Sequence, residues 1–162
     1  MIGTSIVVAK SALIAALQAD ATLTAAGVNV SYDAPVQPTD LKSTDGDYEA
    51  IWLGGAAVSY AIPLLTAGHL HRDETIDQQV IVQVLKPGTG GTQTAADTRA
   101  AEILTRVADI LANNVDLGVT DPARFEAVLT GANHAIGFIP NMQGFGARFE
   151  CTVQFTARLT PT

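Results

Sequence analysis

Basic residues are scarce in this sequence. Nine Lys and Arg stand against sixteen Asp and Glu, a formal charge of -7, so the chain as a whole repels a phosphate backbone and tight nucleic-acid binding is excluded. Charge of either sign is sparse as well: 15% of the 162 residues are charged, against 48% hydrophobic. That ratio excludes intrinsic disorder and leaves the surface with fewer charges than a monomer ordinarily carries, which points to buried subunit contacts. Cysteine is nearly absent, and Cys151 alone can form no internal disulfide. Long apolar runs are missing too. Lys10, Ser11, Gln18 and Asp20 interrupt the first apolar stretch and no basic segment precedes it, so neither a signal peptide nor a membrane span is expected.

Catalytic signatures are equally lacking. There is no Gly-x-Ser-x-Gly elbow, and Cys151 falls on the inward side of an alternating strand, away from any recognisable base. Gly88, Gly90 and Gly91 precede a helix, but no Lys-Ser or Lys-Thr follows them and Lys86 comes before them, so the phosphate-loop spacing is not met. His69 and His71 lie two apart with Asp73 and Glu74 nearby, and His134 is distant; the spacing is not that of a standard metal site and reads as a surface charge cluster. The paired acids Asp47 and Glu49, and Asp73 and Glu74, read as solvated strand ends. No catalytic, cofactor-binding or metal-ligating residue is assigned, and no enzyme activity is expected.

What the sequence does carry is periodicity. Ile6, Leu13, Ile14 and Leu17 recur near helical spacing from Thr4 to about Gln18, and Asp20 suits the cap of a short turn containing Leu23 that ends at Gly27. Val28, Val30 and Tyr32 alternate as a short strand. Tyr48 to Leu53 predicts a second strand, ended by Gly54 and Gly55, and Ala56 to His71, with Pro63 and Gly68, reads as an apolar connection. From Asp73 to Leu85, Ile76, Val80, Val82 and Val84 share one face of a third strand. Lys86 to Gln93 reads as a mobile loop. Thr94 and Asp97 resemble a capping box for a helix whose stripe is Ile103, Leu104, Val107, Ile110 and Leu111, ending at Asn113 and Asn114. Phe125 to Leu129 is a further strand, and Gly131 to Gly146, with Pro140, reads as a turn-rich link. The clearest pattern is the last: Ala147, Phe149, Cys151, Val153, Phe155, Ala157 and Leu159 alternate with polar residues, so Phe149, Val153 and Phe155 are expected in the core. The expected fold is one α+β domain spanning 1–162, a mixed, largely antiparallel sheet of about five strands packed with two amphipathic helices.

Three runs in this order resemble the tail terminator proteins of long-tailed bacteriophages. They are the strand ending Ile51, Trp52, Leu53, Gly54; the run His71, Arg72, Asp73, Glu74 leading into the alternating strand to Leu85; and the glycine-containing loop followed by the helix from Thr94 to Asn113 and the closing alternating strand. The resemblance covers most of the chain from Tyr48 onward and the first helix, with Ala56 to Gly68 more apolar than the family's connection. It implies a homo-oligomeric ring, usually a hexamer, in the virion tail at the head-tail interface, assembled in the host cytoplasm. Such a ring caps the tail tube, stops its elongation and presents a surface to the head-tail connector protein, while DNA passes through the lumen without specific binding. No cofactor and no membrane are implied. A completion or stopper protein of the same head-tail connector is the alternative. A small metal-dependent enzyme using His69, His71 and Asp73 is a different class.

Overall fold

A computed structural model describes residues 4–35, 46–61, 65–66, 69–70, 72–88, 91–120, 124–137 and 144–159. The first helix, α1 (Ile6–Ala19), buries Ala9, Leu13, Ile14 and Leu17, the spacing that puts four side chains on one face. Asp20 ends it with extended backbone and caps the short α2 (Ala21–Ala25), its carboxylate accepting from the Thr22 and Leu23 amides at 3.1 and 3.0 Å. Gly27 then adopts a φ of 74°, the left-handed turn that glycine tolerates, and delivers the chain to β1 (Asn29–Ser31). The remaining elements are β2 (Tyr48–Ala61), the short β3 (Leu65–Thr66) and β4 (His69–Leu70), β5 (Arg72–Pro87), α3 (Gln93–Asn113), β6 (Phe125–Gly137) and β7 (Gly144–Leu159).

The fold is α+β, as the periodicities imply. Five strands form one sheet in the order β1-β2-β5-β7-β6, with β1 parallel to β2 and every other pairing antiparallel, while β3 and β4 pair as a separate hairpin. On one face of the sheet α1 and α3 supply Leu13, Leu17, Ile103, Val107 and Leu111 to a core completed by Ile51, Ile76, Val80, Val82, Val153 and Phe155. Phe155 is fully buried and stacks on Phe125 with ring centroids 5.6 Å apart. On the other face a smaller apolar group of Ala50, Trp52 and Ile81, with Tyr48 beside it, lies among polar residues, and the Arg148 guanidinium sits 5.8 Å from the Trp52 ring centre. Two ion pairs tie α3 to its surroundings: Arg99 grips Glu49 of β2 with two bonds of 2.7 Å, and Arg106 holds Asp20 at 2.6 Å.

Several elements depart from the sequence expectations. Gly54 and Gly55 do not end β2. The strand continues to Ala61, and its register against β5 shifts between Leu53 and Ala56, so the glycines make a bulge. Similarly, the segment from Gly131 is strand as far as Gly137, and β7 begins at Gly144; Pro140 lies outside the described residues, as do Pro63 and Gly68. The cap of α3 is Thr92, whose hydroxyl accepts from the Ala95 amide at 3.1 Å, and Thr94 lies inside the helix. The helix therefore starts before the first turn of its apolar stripe. Phe149 is half-buried, packed on the core edge and 4.7 Å from the His134 ring, whereas Val153 and Phe155 are fully enclosed.

Candidate interaction surface

Three polar or charged side chains are buried among the described residues: Ser5, Glu74 and Gln78. All three serve the same part of the molecule. Glu74 and Gln78 occupy the core side of β5 in phase with Ile76 and Val80, opposite the outer half of β2 beyond the glycine bulge. The Gln78 amide nitrogen donates to the carbonyls of Gly54 at 3.0 Å and Gly55 at 3.3 Å, fixing the bulge from inside. A Cβ at Gly54 would meet the end of the Gln79 side chain, which bonds Glu150 at 3.1 Å and would have to swing aside. The bulge is thus specified from both neighbouring positions of β5.

Glu74 secures the first helix. The Ser5 amide donates to its carboxylate at 2.7 Å, the Thr4 hydroxyl at 2.6 Å, and the Ser5 hydroxyl forms a third short bond. Burial pushes the Glu74 carboxyl up, but the bonds from Ser5 and Thr4 outweigh it and hold the group below its ordinary value, so it is ionised at neutral pH. One carboxylate of β5 therefore holds the N-terminus of α1. The Tyr60 ring lies 4.0 Å from the Arg72 guanidinium.

The outer half of β2 has little to bury. Every residue from Gly55 to Ala61 is exposed, including Val58 at 36% and Tyr60 at 49%. Among the described residues this stretch pairs only with β5, since β1 reaches no further than Trp52. A buried polar network that holds an exposed, uncharged strand edge makes this edge the candidate docking surface. The opposite edge of the sheet is similar. Among the described residues β6 pairs with β7 alone, and its base is covered where the Ala127 amide donates to the Val115 carbonyl at 2.7 Å. From Val128, which is 52% exposed, through Ala135 the side chains are exposed or partly so.

The residues singled out from the sequence fall elsewhere or play other parts. Glu74 is not a solvated strand end, and Glu49 is not one either, its side chain being 11% exposed and clamped by Arg99. The alternation of β5 carried the missing signal: Glu74 and Gln78 share the parity of Ile76, Val80, Val82 and Val84, and parity alone turns them inward. Asp47 is exposed and paired with Lys86, and Asp73 is paired with Arg158 at 2.8 Å. The latter pair lines a shallow cleft of about 450 Å³ with Arg124 and Glu126, where charges of both signs leave no single polarity for a ligand. His69 is in β4, its side chain and the whole of His71 lying outside the described residues, as do Thr89 and Gly90 of the loop. His134 makes a 3.2 Å contact with Asp97. Among the described residues no three His, Cys, Asp or Glu side chains converge as metal ligands, and no helix is long and apolar enough to cross a membrane. Cys151 is buried, and burial pushes its thiol up to about 11, the condition of a core residue and not of a nucleophile. No protein-family model matches this chain, and no curated protein matches it.

Proposed function

We propose that this protein is a tail terminator, a structural ring that caps the tail tube of a long-tailed phage, ends its elongation and offers the surface to which the head connector binds. The observation that carries the reading is the open, uncharged outer half of β2, fixed in place by Gln78 although it packs little surface of its own. Exposed strand edges of this kind invite pairing, and proteins that have no use for them usually interrupt them with charge or proline. The resemblance in Ile51 to Gly54, His71 to Glu74 and the closing strand supplies the particular role. The excess of acidic residues suits DNA that passes through without sticking.

The test is direct. Purified protein added to growing tubes of its tail tube protein should halt elongation and appear as a ring at one tube end in electron micrographs. Tubes that grow unchecked in its presence would overturn the reading. Binding to the head connector without any effect on tube growth would replace it with a completion or stopper role.

A further inference from the structure

We propose that copies of this chain join edge to edge, the outer half of β2 in one copy adding antiparallel to β6 of the next. The inference rests on the ring-forming reading and names the strands that would build the ring. Its ground is that the two edges of the sheet that are free among the described residues are matched in three respects.

The first is charge. Neither Gly54 to Ala61 nor Val128 to Gly137 contains a single Asp, Glu, Lys or Arg, although the chain carries a net -7. Pairing along these edges brings no like charges of the two edge strands together, and neither carries the lysine that commonly bars such pairing. Direction is the second. β2 is antiparallel to β5, β5 to β7 and β7 to β6, so β2 and β6 run in opposite directions. Two copies set side by side in the same orientation therefore place β6 of one antiparallel to β2 of the other, the better-bonded of the two ladder types. A single contact repeated head to tail leaves one edge free at each end of every intermediate, and only closure satisfies both.

The third is position. The free part of β2 stands opposite Asp73 to Gln78 of β5, while that of β6, through β7, stands opposite Asp77 to Leu85. The two free segments are thus offset along the strands by about six residues, roughly 20 Å at ~3.3 Å per residue. Four strand spacings of ~4.8 Å separate one β2 from the next, so closing the ring with that offset tilts the strands about 45° from the ring axis, at the upper end of the tilt common to closed sheets. At the other end of β6 the Val115 contact already occupies the outward amide of Ala127, which keeps the partner strand from sliding down to that end.

Complementation of two damaged edges tests the pairing. Val58→Lys spoils the β2 edge and Ala132→Lys the β6 edge, both at exposed positions, with circular dichroism and thermal unfolding confirming that each variant keeps the fold. In light scattering across a concentration series the wild type should form oligomers, and each variant alone should stay monomeric. Mixed in equal amounts they should give a dimer and nothing larger, because one sound β2 edge meets one sound β6 edge. If the wild type associates but the mixture stays monomeric, or either variant alone still associates, the strand pairing is wrong while the ring reading stands. A wild type that is monomeric at every concentration and on tail tubes overturns both.

Discussion

Glu74 keeps its charge without contact with water because Ser5 and Thr4 supply the hydrogen bonds that water would have made. Replacing it by Gln preserves the shape but sets an amide group against some of the same donors, so at pH 7 Glu74→Gln should lose about 1.5–3 kcal/mol of stability in urea denaturation. The pH dependence has a definite sign. The carboxyl lies below its ordinary value in the folded protein, so its contribution is fully present above the unfolded-chain value of about 4.3 and is lost as pH falls through the lower folded value. Wild type should therefore lose stability more steeply than Glu74→Gln between pH 5 and the acid limit of folding; parallel curves would show that the carboxylate does not act in this way. At this scale the sequence was least legible. The reading of Asp73 and Glu74 as a solvated pair took neighbouring acids as one unit, whereas the pleat sends them to opposite faces: Asp73 outward to Arg158, Glu74 inward to Ser5.

Helix and strand boundaries repay the same scrutiny. Thr92, not Thr94, caps α3, so Thr92→Ala should cost about 1 kcal/mol. Thr94→Ala should be neutral or slightly stabilising, since alanine is the better helix former at an exposed position; thermal unfolding of the two variants side by side distinguishes them. The elements whose apolar residues recur regularly were legible: α1, α3, β5 and the whole alternation of β7 follow from spacing, because burial of one face dictates the pattern. What escaped were the far ends of β2 and β6. Ala56 to Ala61 and Gly131 to Ala135 bury almost nothing on either face, so no hydrophobic period marks them, and the glycines at 54, 55 and 131 imitate turns where the backbone makes bulges. Periodicity reports burial. A strand kept for its edge leaves no such trace, which is why the candidate surface lay in the segments read as connections.

As a whole the molecule presents a two-layer body with most of its negative charge spread over the surface and two uncharged borders. Association should consequently strengthen with salt: screening shortens the reach of the -7 repulsion to about 8 Å at 0.15 M ionic strength while leaving backbone pairing intact. Sedimentation at 0.02 and 0.5 M NaCl should show larger assemblies at the higher concentration, and the reverse order would mean that ion pairs hold the copies together. The sheet order has one more consequence, in time and not in space. β7 is synthesised after β6 yet lies between β5 and β6, and its pairing with β5 joins residues as distant as Arg72 and Leu159. Contacts so far apart in sequence close slowly, and until they close β6 has no neighbour to hold it straight. On the proposed edge pairing, an unfinished chain on the ribosome has no β6 border to offer, so a finished copy cannot capture it through that strand until its sheet is complete.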